Sequence, residues 1–151
     1  MVVYPTVLKL SKKADYGLIA LRHLAIHYGQ CSCSATDIAV EYGISMPLMA
    51  KILQKLARVG LVTARHGSSG GYTLAKDPAQ ITLLDAIRAV DGPFFITSCV
   101  THRGECEQST TCTVREPLRR VNETIVKVLN KVTILQMTDD APSSEVVELR
   151  V

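Results

Sequence analysis

The chain lacks any apolar run close to the roughly 18 residues that a bilayer-spanning helix requires. Its amino terminus also lacks the charged stretch and apolar core that mark an export signal. We therefore expect no membrane partner and a cytoplasmic location. Hydrophobic residues make up 47% of the 151 residues and charged residues 21%, so the chain is expected to fold around a packed core.

The sequence motifs of enzymes are missing as well. We find no glycine-rich phosphate loop after a strand, no nucleophile accompanied by a base and an orienting group, and no histidine pair spaced for a catalytic metal. A chain of 151 residues is also too short for two full domains, which excludes a separate substrate domain. The protein is therefore not expected to be an enzyme.

Positive charge is concentrated in the first half of the chain. Residues 1–76 contain nine Lys or Arg against three acidic residues, a balance of +6, whereas residues 77–151 contain eight against eleven, a balance of −3. A local excess of cations is what a phosphate-contacting module requires, although a solvated surface helix can be basic too. The basic half is thus a candidate for binding nucleic acid.

Three helices are predicted in this basic half. Apolar residues recur at helical spacing from Ser11 to His27, and Ser34 with Asp37 forms a capping-box pattern that begins a second, short helix. After Gly43, Ser45 is expected to cap a third helix, with Pro47 in its first turn. Two helices joined by a short turn are typical of a helix-turn-helix.

The third helix is predicted to have one packing face and one basic face. The packing face consists of Leu48, Ile52, Leu56 and Val59, and the outer face of Lys51, Lys55 and Arg58. In a helix-turn-helix the second helix enters the major groove, and its first residues read the bases. We therefore predict base contacts from Ser45 and Pro47, and phosphate contacts from the three cations.

A small β-hairpin is predicted after the third helix. Residues 61–65 and 72–75 form short strands around the glycine-rich tip at residues 66–71, where Arg65 and His66 can approach a phosphate or the minor groove. The expected fold is mainly α with a small β wing, and residues 1–92 would form a winged helix-turn-helix DNA-binding domain. Tyr72 is expected to pack against the wing rather than contact DNA.

The second half is predicted to contain a polar loop and a long helix. A capped helix over residues 83–90 precedes a loop, 93–112, that carries three of the five cysteines. Thr113 and Glu116 form a capping-box pattern, and Leu118, Val121, Ile125, Val128 and Val132 continue at spacings of three and four. We expect a dimerisation helix over 113–137, with a packing helix within one chain as the alternative, and a mobile tail over 138–151.

Taken in order, these segments resemble the Rrf-type winged-helix transcription regulators, a family that includes the iron-sulfur regulator IscR and the nitric-oxide-sensitive repressor NsrR. The resemblance covers residues 10–137 and rests on the following sets: Leu10 to Tyr16, Gly60-Leu61-Val62, Gly67 to Tyr72, Ala89 to Gly92, and the three cysteines of the loop. The spacing of those cysteines is most similar to the subgroup that regulates SUF iron-sulfur assembly genes.

The resemblance implies an iron-sulfur cluster, either 2Fe-2S or 4Fe-4S, held by Cys99, Cys106 and Cys112. Three thiolates in one polar loop form a nearly complete ligand set, and the close C-x-x-C pairs usual at zinc sites are missing from that loop. One branch of the family has a histidine where this chain has Arg115. The other branch uses an acidic residue of the other subunit, which corresponds here to Asp15, and His102 is the fallback ligand.

The resemblance also implies a homodimeric DNA-binding repressor that senses cluster status and controls iron-sulfur assembly genes. Two alternatives stay open: a repressor of the same family that senses nitric oxide or redox state, and a cluster-free regulator that docks on a metabolic enzyme. His66 stands where the family usually has arginine. Cys31 and Cys33 form a C-x-C pair to which the sequence assigns no role, although a redox pair is one reading.

Overall fold

The computed structural model describes residues 9–97 and 111–138. The helices are α1 (Lys12–Ile26), α2 (Ala35–Tyr42), α3 (Met46–Arg58), α4 (Leu83–Asp91), α5 (Arg115–Lys131) and α6 (Ile134–Thr138), and the strands are β1 (Val62–Arg65) and β2 (Gly71–Leu74). A 3-10 turn, Pro78–Gln80, precedes α4. The fold class is confirmed: mainly helical, with one small antiparallel sheet. None of the described helices is long and apolar enough to cross a membrane.

Side-chain caps fix the beginnings of four of the described helices, α6 included. The Ser11 hydroxyl accepts the Ala14 N–H at 3.0 Å at the start of α1. Complete capping boxes begin α2 and α4, the first between Ser34 and Asp37 and the second between Thr82 and Asp85. These bonds satisfy backbone N–H groups of the first turn that have no partner within the helix, and so they stabilise the helix starts. The predicted starts of α1, α2 and α4 are confirmed.

The core lies between α1, α3 and α4, with α2, the wing and α6 packed around it. Its largest fully buried side chains are Leu21, Leu24, Ile38, Met49, Ile52, Leu53, Leu56, Ile81 and Ile134. Burying an aliphatic side chain of this size contributes roughly 1.5 to 3 kcal/mol. The core therefore fixes α3 firmly against the rest of the domain.

The packing face of α3 is rotated from the predicted one. Ile52 and Leu56 are buried as expected, but Met49 and Leu53 complete the buried face. Leu48 is only half-buried, and Val59, the C-cap residue, is 54% exposed. Leu48 still packs against the core, so the predicted face was wrong only for Val59. Spacings of three and four leave a choice between adjacent helical rows, which is why Met49 and Leu53 were missed.

The wing forms as predicted, and the loop between α1 and α2 pairs with it. Strands β1 and β2 are antiparallel, with Val62 opposite Leu74 and Arg65 opposite Gly71. The Cys33 N–H donates to the Tyr72 carbonyl at 3.0 Å, and the Tyr72 N–H donates to the Cys33 carbonyl at 2.7 Å. This bridge joins the wing to the helix-turn-helix through backbone bonds.

The predicted long helix is divided in two. It begins at Arg115 without a side-chain cap, so the predicted Thr113 box is wrong, and α5 ends at Lys131. Val132 is extended and its carbonyl accepts the Leu83 N–H at 2.9 Å, while the Ile134 N–H donates to Ile81. Pairing with residues 81–83 therefore redirects the chain, and α6 packs on α1 instead of continuing α5.

Several predicted features lie outside the described residues. They are the loop positions Cys99, His102 and Cys106, and the tail beyond residue 138. The described part of the cysteine segment consists of residues 93–97 and 111–112.

Candidate nucleic-acid interface and ligand residues

The outer face of α3 carries a row of exposed side chains. The row contains Pro47, Lys51, Gln54 and Arg58, which follow one another at spacings of four, three and four. This spacing places all four on one side of the helix, away from the buried Ile52 and Leu56. Gln54 was not predicted as a contact residue, although its spacing from Lys51 was the signal that could have identified it.

Lys55 does not lie on this exposed row. Its side chain is half-buried, and its Nζ donates to the Val90 carbonyl at 3.0 Å, near the carboxyl end of α4. A cation is favoured there because the last carbonyls of a helix lack partners and carry partial negative charge. The predicted placement of Lys55 on the outer face was thus wrong, while its role at DNA stays a prediction.

The amino end of α3 is open. Ser45 is exposed and makes no side-chain cap bond, while its carbonyl accepts the Met49 N–H at 2.9 Å. Because the Ser45 hydroxyl is not used to cap its own helix, it can donate to or accept from an outside group. Neighbouring Met46 is 49% exposed, which makes this end of the helix an accessible surface.

The wing presents Arg65 and His66 to solvent. Both side chains are exposed, at the end of β1 and the start of the tip. The tip is bonded to the loop between α1 and α2, because the Ser32 hydroxyl donates to the Ser69 carbonyl at 2.7 Å. Tyr72, predicted to pack against the wing, is half-buried and packs on the hydrophobic core instead, while its lack of contact with DNA stays a prediction.

Two predicted cluster ligands are described. Asp15 is half-exposed in the first turn of α1, and Cys112 is a free, half-buried thiol two residues before the cap of α5. Arg115, at the position where one branch of the family has histidine, is exposed in the first turn of α5.

Three metal-ligating side chains meet elsewhere. His23 and His27 on α1 and Cys33 in the following loop have potential ligand atoms all within 4.8 Å of one another. His23 and His27 lie four residues apart on one helix face, a spacing able to hold a metal ion that was not predicted. Burial raises the pKa of Cys33 to about 11 and lowers the pKa of His23 from its ordinary value.

Helix α5 exposes much of the predicted apolar seam. Val121 is 48% exposed, and Leu118, Ile125 and Val128 are half-buried. The buried position of α5 is Asn122, whose Oδ1 accepts the Ile96 N–H at 3.0 Å. The helix therefore packs against α4 and residues 93–97 with its Asn122 side, which leaves the Val121 side without a covering element in the described chain.

Comparison with known proteins agrees with this architecture. The chain is 30% identical to the HTH-type transcriptional regulator IscR of Vibrio vulnificus over 142 residues, which cover 94% of this chain and 82% of that one. It is 31% identical to the IscR of Vibrio campbellii, with the same coverage.

Solved structures give the same result. The solved structure of CymR, the global cysteine regulator of B. subtilis, matches with a TM-score of 0.71 at 30% identity, and the match covers 87% of this chain and 97% of that one. The IscR of T. potens also matches with a TM-score of 0.71 at 30% identity, covering 91% of each chain. These relatives are transcriptional regulators, so the expectation that the protein is not an enzyme is confirmed.

The family described as Rrf2, iron-dependent transcriptional regulator, matches residues 10–140, which is most of the chain. The match includes the helix-turn-helix, the wing, the cysteine segment and α5. The chain belongs to the Rrf2 family of DNA-binding transcriptional regulators.

Proposed function

We propose that the protein is a homodimeric repressor that docks on duplex DNA through α3 and the wing. The observation that carries the proposal is the exposed row of α3, Pro47, Lys51, Gln54 and Arg58, on a helix fixed by its buried opposite face. A rigid helix with cations and an amide on its outer side can contact both phosphates and base edges. Ser45 and Pro47 would meet the bases first, at the helix start.

The wing supplies the second contact. Arg65 and His66 are exposed and follow a strand that is fixed by pairing to β2. An arginine presents five N–H donors in a planar fork that suits phosphate, whereas an imidazole offers at most two ring nitrogens. In our proposal Arg65 therefore provides the electrostatic part of the wing contact, and His66 a weaker polar contact.

The apolar side of α5 is proposed as the subunit interface. Val121, Ile125 and Val128 follow one another at spacings of four and three and are left partly exposed by their own chain. Packing the same row of a second copy against them would bury this face and place two α3 helices on one duplex. Symmetric pairing is the usual form of such assemblies.

We further propose that an iron-sulfur cluster bound by Cys99, Cys106 and Cys112 regulates DNA binding. The donor chemistry fits, because Cys112 is a free, partly accessible thiol. Asp15 of the partner subunit is proposed as the fourth ligand, since its carboxylate is half-exposed and has no side-chain bond within the described residues. If bound, the cluster would make DNA affinity sensitive to cluster supply, and the proposed targets are iron-sulfur assembly genes.

A second candidate is the cluster-free regulator that docks on a metabolic enzyme. Its cluster-free part is favoured by the likeness to CymR, which lacks such a cluster, because that likeness is as strong in TM-score and identity as the likeness to the T. potens IscR.

Anaerobic reconstitution tests the proposal and separates the two candidates. Iron, sulfide and visible absorbance would be measured on the native dimer, and the loaded and metal-free forms would be compared for binding to genomic fragments upstream of iron-sulfur assembly genes. We expect a stoichiometric chromophore and a difference in operator affinity between the two forms. A colourless, iron-free dimer that binds the same fragments equally well before and after treatment would support the cluster-free candidate.

A further inference from the structure

The end of α1 and the loop after it bring together three metal-ligating residues that the proposed function does not use, with a fourth, Cys31, beside them in the loop. They follow a simple spacing, His23, His27, Cys31 and Cys33, in which the histidines are four residues apart and the cysteines two. Residues i and i+4 are neighbours on a helix surface, and the two imidazole rings are 4.7 Å apart between centroids. The helix thus presents two nitrogens toward the loop that carries the thiols.

The thiols complete the group. The ligand atoms of His23, His27 and Cys33 lie within 4.8 Å of one another. Cys31 is exposed and precedes Cys33 by two residues in the same loop, so its thiol is proposed to turn toward the other three. In a tetrahedral zinc site, bond lengths of about 2.0 to 2.3 Å place ligand atoms roughly 3.5 Å apart. Rotation of the exposed Cys31 and half-exposed His27 side chains can supply the remaining contraction.

The surroundings of His23 are those expected of an oriented ligand. Its Nδ1 lies 3.1 Å from the Tyr42 hydroxyl and 3.5 Å from a Glu41 carboxylate oxygen, both at the end of α2. Metal-bound histidines usually use one ring nitrogen for the metal and give the other to a carboxylate or another oxygen. With Nδ1 occupied in this way, Nε2 is the nitrogen available to a metal.

We propose that His23, His27, Cys31 and Cys33 form a second metal site, which binds one zinc-class divalent ion per subunit in tetrahedral N2S2 coordination. Two imidazoles and two thiolates suit borderline ions such as Zn²⁺, and they disfavour Mg²⁺ and Ca²⁺, which take oxygen ligands. The thiols must lose their protons to ligate, so binding of the ion releases them to solvent.

The position of this site in the fold gives it a structural consequence. Cys33 is the residue whose backbone pairs with Tyr72 of β2, and neighbouring Ser32 holds the wing tip at Ser69. An ion that ties Cys33 to His23 and His27 would fasten the wing to α1 through one coordination sphere. The bound ion should therefore stabilise the wing as well as the loop.

Cobalt binding tests the site without interference from the other cysteines. The full-length dimer with Cys99, Cys106 and Cys112 replaced by Ala would be titrated anaerobically with Co²⁺ alone. We expect one ion per subunit, the visible bands of tetrahedral cobalt with sulfur-to-metal charge transfer, and displacement by Zn²⁺. This variant cannot form the proposed cluster, so absence of cobalt binding would not count against the proposed function. Likewise, absence of a cluster in the wild-type chain would not count against the second metal site.

Single substitutions assign the ligands. His27→Asn and Cys33→Ser, each added to that variant, should weaken binding at least about 100-fold, because even loss of an outer-shell partner costs 10-fold to 100-fold. Cys31→Ser should remove about half of the charge-transfer intensity. His66→Asn, which changes an exposed histidine on the wing, is the matched control and should leave stoichiometry and affinity unchanged.

Circular dichroism of each variant keeps the result interpretable. Cys33 is buried, so Cys33→Ser can fail to fold; the test of the site then rests on His27→Asn, at a half-exposed residue. If the chain with Cys99, Cys106 and Cys112 replaced by Ala does not fold, His27→Asn is made in the wild-type chain, which should then lose one bound Co²⁺ per subunit. Absence of stoichiometric binding, or binding that survives His27→Asn in a folded protein, would overturn the site. An unchanged charge-transfer band in Cys31→Ser would overturn the N2S2 assignment.

Discussion

Individual cations on α3 and the wing should differ from cations elsewhere on the surface in their effect on DNA affinity. Lys51→Gln, Arg58→Gln and Arg65→Gln should each weaken binding to a random duplex about fivefold to tenfold, roughly 1 to 1.4 kcal/mol. Each should also reduce the slope of log affinity against log salt by about 0.9, because one phosphate contact is lost. Fluorescence anisotropy at several salt concentrations measures both quantities.

Lys127→Gln is the control for these three substitutions. Lys127 is an exposed cation on α5, away from α3 and the wing. Its removal changes the net charge by the same amount, so it should alter affinity only slightly and leave the slope unchanged. Equal effects of all four substitutions would show that net charge, rather than a docked surface, governs binding.

Gly71 is a residue at which a single methyl group should damage the fold. Its φ of +152° is unusual for other residues, and a Cβ there would lie 2.6 Å from the Cys33 carbonyl oxygen, a backbone atom that cannot rotate away. Gly71→Ala should therefore lower the free energy of unfolding by about 2 to 4 kcal/mol, from the clash and the backbone strain together.

Gly29→Ala isolates the strain from the clash. Gly29 has a φ of +76°, but no atom lies within 4 Å of the position of its Cβ. The expected loss is about 1 to 2 kcal/mol, from backbone strain alone. Denaturant unfolding of both variants measures the difference, and a Gly71 variant no less stable than the Gly29 variant would contradict the bridge between the wing and Cys33.

Among the elements, α5 should behave as a subunit interface on its Val121 side. Ile125→Glu would place a carboxylate in that seam, and a buried unpaired charge costs several kcal/mol, so the dimer should dissociate. Lys127→Glu introduces the same side chain on the opposite side of α5 and should leave the dimer intact. Sedimentation velocity distinguishes the outcomes, and a dimeric Ile125→Glu protein would refute the seam.

How far elements could be predicted depended on how local their signals are. The boxes at Ser34 and Thr82 are complete within four residues, so the starts of α2 and α4 followed from the sequence. The end of α5 did not, because the apolar spacing continues through Val132, and the partner that redirects that residue, Leu83, lies about fifty positions earlier. Such a pairing becomes visible only in the folded chain.

The candidate site divides in the same way. Lys51 and Arg58 were identified from helical spacing alone, since amphipathic periodicity is local. The contact of Lys55 with Val90 and the meeting of Cys33 with His23 were not predicted, because each depends on how separate elements pack. A helical wheel gives the face of a residue but not the neighbour that its side chain reaches.

At the scale of the whole dimer, cluster assembly should show complementation between subunits. A heterodimer of an Asp15→Ala subunit and a Cys106→Ala subunit contains one site with every ligand if Asp15 ligates across the interface. Such heterodimers, isolated with two different tags, should carry one normal cluster each, whereas neither variant homodimer should have the wild-type spectrum. Iron content and visible absorbance provide the measurement.

Failure of that complementation in folded heterodimers would place Asp15 in the same chain as the cysteines that it joins, whereas a wild-type spectrum in folded Asp15→Ala homodimers would exclude Asp15 as the fourth ligand. His102 would then be the better choice, and His102→Ala homodimers should lose the wild-type spectrum.

If the proposed cluster is bound, the bond from Lys55 to Val90 would couple its binding to that of DNA. Lys55 belongs to the helix proposed to dock on DNA, and Val90 lies at the end of α4, from which the chain runs into the cysteine segment. Thermodynamic reciprocity requires operator DNA to change cluster affinity by the same factor by which the cluster changes operator affinity. Lys55→Met keeps the aliphatic part of the side chain but removes the ammonium donor. The factor by which DNA changes cluster affinity and the factor by which the cluster changes DNA affinity should then fall equally toward one. If Lys55 instead bound a phosphate, the substitution would weaken the loaded and metal-free forms alike and leave that shared factor intact.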